Sequence, residues 1–305
     1  MLSLEHIRSI CSGAIHISEP LAPLTSFRIG GPVDIYIEPA SIDEIAALVT
    51  YLRGGETPYV VLGNGSNVLI SDEGIHGVAL SIERHFSTLA FEDGIVTAGG
   101  GVRLSKFVDF CVRHRLAGSE MLAGIPGTLG GAVIMNAGAY GGEISDCMID
   151  VTVLRDGTPR MIEKSDAGFR YRGSDLRRDI VLAARFRFPE GDETALKARR
   201  KELLLKRNAA QPVNHPNAGS IFKNPPGDFA ARLIEESGLK GFAVGGARVS
   251  DLHANFIINT GGATAADVLD VIRHVRRTVR ERHGVLLELE IRLLGFSAEV
   301  LASLD

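Results

Sequence analysis

Tyr59-Val-Val-Leu-Gly-Asn-Gly-Ser-Asn-Val-Leu-Ile70 is an apolar strand that enters a Gly-x-Gly loop and leaves it as a second apolar strand. The exit is the informative part. A dinucleotide fingerprint needs a helix there, with an acidic residue about 20 positions further on. Val68-Leu69-Ile70 continues as strand instead, which argues against a Rossmann site. The chain contains no Gly-Lys-Ser or Gly-Lys-Thr, so a P-loop is excluded as well. What remains is a pyrophosphate held by loop amides from more than one segment. A second loop, Gly124-Ile-Pro-Gly-Thr-Leu-Gly-Gly131, would share that task, with side-chain hydrogen bonds from Asn64, Ser66, Asn67 and Thr128.

Glycine is also abundant, with 35 in 305 residues. That is about 11%, against roughly 7% on average. No three-residue period accompanies it and only 12 Pro are present, so the excess is neither collagen-like nor low-complexity. The glycines cluster at Gly30-Gly31, Gly63 to Gly65, Gly99 to Gly101 and Gly124 to Gly142. Either tight turns or a ligand lying against bare backbone would account for them. A net charge of −4 gives no field for nucleic acid. No apolar run approaches the ~18 residues of a membrane span, and the charged start lacks a signal core. Cys11, Cys111 and Cys147 form no metal or disulfide pattern, which suits a reducing cytosol. The histidines show no ligand spacing, and no metal is expected.

The expected elements are strands and helices in alternation without repeats. Val33–Glu38 alternates as a strand, and Ser41 with Glu44 forms a capping-box pattern before a helix that buries Ile45, Leu48, Val49 and Leu52. Leu104 to Arg115 is a helix with Leu104, Phe107, Val108 and Cys111 inward. Strands follow at Cys147 to Leu154 and Ile180 to Phe188, then a charged surface helix from Asp192 to Arg207. In the last third, Asp228 caps a helix ending at Glu236, and Thr264 with Asp267 opens a long helix stopped by Gly284. Leu286 to Leu294 is a terminal strand. The expected class is α+β, with boundaries at 1–83, 84–207 and 208–305.

Thr25-Ser-Phe-Arg-Ile-Gly-Gly31, the loop at Leu62 to Leu69 and the stretch from Gly124 to Gly141 resemble the UDP-N-acetylenolpyruvoylglucosamine reductase (UDP-N-acetylmuramate dehydrogenase) family. The resemblance runs from about residue 20 to about residue 295. It implies a vanillyl-alcohol-oxidase-like (PCMH-type) FAD fold in two subdomains, plus a C-terminal substrate domain. It also implies non-covalent FAD on Gly63, Asn64, Gly65, Ser66, Asn67, Gly124, Ile125, Pro126, Gly127, Thr128, Gly131 and Ala132. NADPH would be the co-substrate, and a UDP-sugar the substrate of a cytoplasmic monomer that binds neither nucleic acid nor membrane.

Three further motifs carry the chemistry that the resemblance implies. Tyr171-Arg172-Gly173-Ser174 is similar to the family's Y-R-x-S, Asn217 to Pro225 to its N-A-G-S-x-F-K-N-P, and Leu287 to Arg292 to its E-P-E-V. By position, Arg172, Ser220 and Glu290 are the catalytic residues. Hydride added to the enolpyruvyl alkene leaves charge on the carbon beside the carboxylate. Arg172 and Glu290 would stabilise that enol-like species, and Ser220 would protonate it. Glu290 helps only when it shares a proton at that step, which burial beside substrate favours. Without the motifs, Arg172 belongs to a solvated Arg170, Arg177 and Arg178 face, Ser220 caps a turn, and Glu290 lies on a polar strand face with Glu288 and Arg292.

Lys223, Asn224, His253 and Asn255 are similar to residues of the family's substrate site, and His253 equally suits a structural hydrogen bond. The N-terminus of the Asp228 helix would offer a further anion site, though Asp228 itself would repel an anion. Two departures stand out. Leu289 replaces the family's Pro and keeps an N–H donor, which predicts a changed strand pairing. The short segment from Gly238 to Asn259 lacks the longer subtype's inserted loop and its covering Tyr. Another FAD-dependent oxidase of the same superfamily, or a non-catalytic flavin module, would share the glycine loops but has no reason to keep Ser220, Lys223 and Glu290.

Overall fold

The computed structural model describes residues 2–304 as two compact units. The first comprises the residues up to Ile17, Ile35–Asn64 and Gly77–Arg207; the second comprises Ser18–Asp34, Gly65–His76 and the residues from Asn208 onward. The class is α+β, with mostly antiparallel sheets and helices packed against them.

One four-stranded sheet has the order Ala14–Pro20, Pro32–Glu38, Ile75–Leu80 and Tyr59–Val61, the last pair parallel. The Ile42–Gly54 helix buries Ile45, Leu48, Val49 and Leu52, the face its period predicts. Its capping box is only half formed. Ser41 Oγ accepts from the Glu44 N–H at 3.2 Å. The Glu44 carboxylate turns instead to the Ala40 N–H at 2.7 Å and to Ser12. Burial pushes Glu44 up, but those hydrogen bonds outweigh it and bring the group to about 2.

The first unit has a second core. An antiparallel sheet in the order Thr158–Glu163, Met148–Arg155, Ile180–Phe186, Ile95–Gly99, Leu89–Glu92 carries the Leu104–Arg113 helix. Leu104, Phe107, Val108 and Cys111 all face this core, and Phe107 lies 5.0 Å from Phe186, centroid to centroid. The helix stops two residues earlier than expected because Arg115 takes the left-handed conformation.

In the second unit, strands Asn217–Ser220, Phe256–Asn259, Ala247–Val249 and Ala243–Val244 form a sheet. The Ala265–His283 helix lays Val268, Val271, Ile272, Val275 and Val279 into the core. Its capping box is complete, Gly284 closes it at φ 69°, and Asp72 accepts from the Ala265 and Ala266 N–H groups at 2.8 and 3.1 Å. The terminal strand is shorter than expected. Only Arg292–Leu294 forms a ladder, parallel to Val68–Ile70, while Leu289 makes an isolated bridge to Phe222. Among the described residues, no helix is long and apolar enough to cross a membrane.

All three thiols are held protonated. Burial is the largest cause at each: it pushes Cys11 to about 11, with Glu44 adding to it, pushes Cys111 to about 12 against a hydrogen bond with Ser119, and raises Cys147 as well. At pH 8 a thiol near 12 is about one part in ten thousand thiolate. Titration of the native protein with an aromatic disulfide should therefore be slow, with half-buried Cys147 reacting first, and all three should react at once in denaturant. A fast thiol in the native protein would contradict this.

Candidate active site

The two glycine loops meet in the first unit. A Cβ on Gly63 would lie 2.5 Å from Thr128 Oγ1, so only glycine permits this approach. Thr128 is itself fixed. Its neighbours bond across to another loop, Leu104 N–H to Gly127 O at 3.0 Å and Leu129 N–H to Val102 O at 2.7 Å. Its hydroxyl caps the Leu129–Ile134 helix by accepting from the Gly131 N–H at 3.4 Å. Gly124 at φ 80° and Gly127 at φ 137° take conformations open to glycine. Gly124, Pro126 and Gly131 are exposed, so the loop presents bare backbone, and this fits a pyrophosphate-bearing cofactor. Ala132 and Ile125 instead pack on the core.

Not every glycine cluster serves a ligand. Cβ atoms on Gly99, Gly100 and Gly101 would strike the Phe86, Val181 and Ile82 carbonyls at 2.2, 2.0 and 2.4 Å. These three let backbone pack on backbone. Arg207, which sequence reasoning missed, packs its stem over Gly124, where a Cβ would be 2.8 Å from Arg207 Cδ. Burial pushes its guanidinium down from its ordinary high value.

Arg172 sits at the corner of a tight hairpin in the same unit. Arg170 and Gly173 exchange N–H···O bonds of 3.0 Å each, and Arg172 takes φ 54°. Its guanidinium lies 5.0 Å from the Tyr171 ring centroid. Two of the neighbouring arginines, Arg170 and Arg177, are engaged rather than merely solvated. Arg170 pairs with Asp175 at 2.6 Å, and an Arg177 N–H donates to the Arg172 carbonyl at 3.4 Å.

Ser220 and Glu290 belong to the second unit. Ser220 ends its strand after a register shift, directly behind Gly219 at φ 78°, and a bulge of this kind re-aims the next side chain. The Ile221 and Phe222 segment is clamped by Asn255. Phe222 N–H donates to Asn255 Oδ1 at 2.9 Å, and Asn255 Nδ2 donates to Phe222 O at 2.7 Å. Both ends of this buried amide are thereby spent on the backbone. Glu290 runs alongside, with its N–H on Ile221 O at 2.8 Å and its carbonyl accepting from Asn67 Nδ2 at 3.2 Å. Asn67, expected on the cofactor, therefore braces Glu290.

The bridge between Phe222 and Leu289 resolves the missing proline. Its two bonds are Lys223 N–H to Glu288 O and Glu290 N–H to Ile221 O. Neither uses the Leu289 N–H, so a proline there would leave the same pairing, and the expected change does not arise.

Lys223 reaches Glu288 Oε2 at 3.1 Å. Asn224 accepts from the Ala230 N–H at 3.1 Å and so covers the start of the Ala230–Glu236 helix. That helix begins two residues after Asp228, contrary to the sequence expectation. Bonds from Arg232 and then the Phe229 N–H hold Asp228 at about 2. An anion would meet a carboxylate and a filled cap there. His253 Nδ1 accepts from the Asn255 N–H at 3.3 Å, its ring packs edge-on against Phe256, and burial lowers its pKa. Its observed contacts are structural. Ser26, also unforeseen, donates from Oγ to the Asn217 carbonyl at 2.7 Å and so braces the Ser220 strand.

The fold and the two glycine loops suit a flavin-binding protein. Residues 33–162 match the FAD binding domain model, and residues 211–294 match that of the UDP-N-acetylenolpyruvoylglucosamine reductase C-terminal domain. The reductase of Chloroherpeton thalassium is 42% identical over 98% of this chain and 99% of its own length. That of Heliobacterium modesticaldum is 46% identical over 92% of this chain and 90% of its own. The crystal structure of the Thermus caldophilus UDP-N-acetylenolpyruvylglucosamine reductase superposes with a TM-score of 0.79 at 37% identity, covering 92% of this chain and 98% of that one. The chain belongs to the UDP-N-acetylenolpyruvoylglucosamine reductase family. It is an FAD-dependent oxidoreductase.

The contact between the loops makes a direct prediction. A methyl at Gly63 must displace Thr128 Oγ1, which breaks the cap on the following helix at a cost of about 1 kcal/mol. Gly63→Ala should purify with its FAD largely lost, the affinity falling about tenfold or more. The ratio of flavin to protein absorbance checks this, and full occupancy would refute the contact.

Proposed function

We infer that this chain reduces UDP-N-acetyl-3-O-(1-carboxyvinyl)-glucosamine to UDP-N-acetylmuramate with NADPH, in peptidoglycan precursor synthesis. We further propose that it works as a cytoplasmic monomer in three parts, 1–83 and 84–207 for FAD and 208–305 for substrate. Bound FAD supplies the carrier that takes hydride from NADPH and gives it to the vinyl carbon. Gly63, Asn64, Gly65, Gly127 and Thr128 would hold it.

The remaining work falls to side chains. Arg172 pairs with the substrate carboxylate and draws the developing charge toward it. Glu290, fixed through its backbone on two sides, completes the surroundings of that charge. Ser220 gives the proton to the carbon beside the carboxylate. A serine hydroxyl is a weak acid, and it serves here because an enolate-like carbon is strongly basic. Lys223 meets the diphosphate by exchanging Glu288 for it. Asn224 and Asn255 act on the backbone around these groups, and His253 supports Asn255.

The observation that carries this reading is the state of Ser220. Its hydroxyl is half-buried, follows a bulge, and is committed to no protein partner among the described residues. The segment behind it is pinned by Ser26, Asn255 and Glu290. A fixed hydroxyl with an uncommitted proton is what a donor requires.

Separate half-reactions test the assignment. Ser220→Ala should bleach with NADPH at close to the native rate. It should then reoxidise on the enolpyruvyl substrate about a hundredfold or more slowly, the usual range for losing a general acid. Native reoxidation in this variant would remove Ser220 from the reaction.

A further inference from the structure

We propose that Asn136 is a positioning residue that holds the Arg172 hairpin at a fixed distance from the cofactor loop. The proposal rests on the reading of Arg172 given above. Every contact in it lies within the first unit.

Asn136 follows the Leu129–Ile134 helix, whose N-cap is Thr128. Six residues of helix are about 9 Å long and rigid on this scale. One end of that rod is therefore the cofactor loop. The other end is bonded to the hairpin twice. Asn136 Nδ2 donates to the Arg170 carbonyl at 3.2 Å, just before the corner. Ser174 Oγ donates to the Ile134 carbonyl at 2.8 Å, just after it. The two ties flank Tyr171-Arg172 on either side of the corner.

Three features show that this amide is specified. Asn136 is 1% exposed yet takes φ 44°, a left-handed conformation that Asn tolerates better than other side-chain-bearing residues. Its Nδ2 also donates to Glu143 Oε2 at 2.5 Å, so both donor hydrogens are used on acceptors and the orientation of the amide is fixed. Its Oδ1 is buried with no partner among the described residues. Leaving an amide oxygen unpaired costs about 1–3 kcal/mol, which a small apolar residue would avoid. The site bears that cost and keeps the donors. Arg172 is also strained at φ 54°, so its hairpin needs external support to hold one geometry.

A positioning role predicts a specific split in the kinetics. Asn136→Gly keeps the left-handed backbone at ease and removes only the amide. FAD content should stay native, and flavin bleaching by NADPH should change less than about threefold. Reoxidation by the enolpyruvyl substrate should slow about tenfold to a hundredfold, the effect of an ångström-scale misplacement. Ser174→Ala, which removes the second tie to the same hairpin, repeats the test should the glycine variant fail to fold.

The double variant with Arg172→Ala decides the mechanism. If Asn136 acts through Arg172, the double variant is no slower than Arg172→Ala alone. Independent, multiplying effects would overturn the proposal, as would equal slowing of both half-reactions or loss of FAD from the single variants. Native reoxidation in Arg172→Ala alone would instead dismiss the reading of Arg172, and that result is scored without reference to Asn136.

Discussion

The absence of one methyl group at Gly63 sets the geometry of the first unit. With no Cβ, the Gly63 backbone comes against Thr128 of the second glycine loop. Thr128 transmits that position, because its hydroxyl caps the short helix that follows. The helix ends at Asn136 and Ile134, which grip the hairpin that carries Arg172. A strand end, a glycine loop and the hairpin of Arg172 are thus linked by consecutive contacts. Each link is a few hydrogen bonds strong, so geometry rather than energy is what the series conserves.

The second unit solves a different problem. Residues 221–224 and 288–291 lie beside each other outside any regular ladder, so their backbone groups need other partners. Side-chain amides supply them. Asn255 takes both groups of Phe222, and Asn67 takes the Glu290 carbonyl. Irregular backbone is what lets Ser220 and Glu290 leave the flat pleat, and the amides keep it from slackening.

The sequence made much of this legible and left a definable remainder. Helix faces such as Leu104, Phe107, Val108 and Cys111 follow from a 3.6-residue period, which is a local property. The strand exit at Val68 excluded a Rossmann site for an equally local reason. Motif order put Arg172, Ser220 and Glu290 forward, and their roles are proposals. What stayed hidden depends on partners far along the chain. Nothing near Gly100 says that its neighbour is the Val181 carbonyl rather than a ligand. Asn67 and Asn255 look like ligand-facing amides until their backbone partners are known, and Glu44 and Asp228 had more than one N–H within reach. Leu289 shows the converse case, where a departure from the family's residue is silent because the bonds of its bridge belong to its neighbours.

The central claim is that bound FAD carries hydride from NADPH to an enolpyruvyl group of a UDP-sugar. Anaerobic titration of the native protein addresses it most directly. One equivalent of NADPH should bleach the flavin absorbance. One equivalent of the enolpyruvyl sugar nucleotide should then restore it without oxygen, with UDP-N-acetylmuramate formed in equal amount. Colour that returns only when air is admitted would contradict the account.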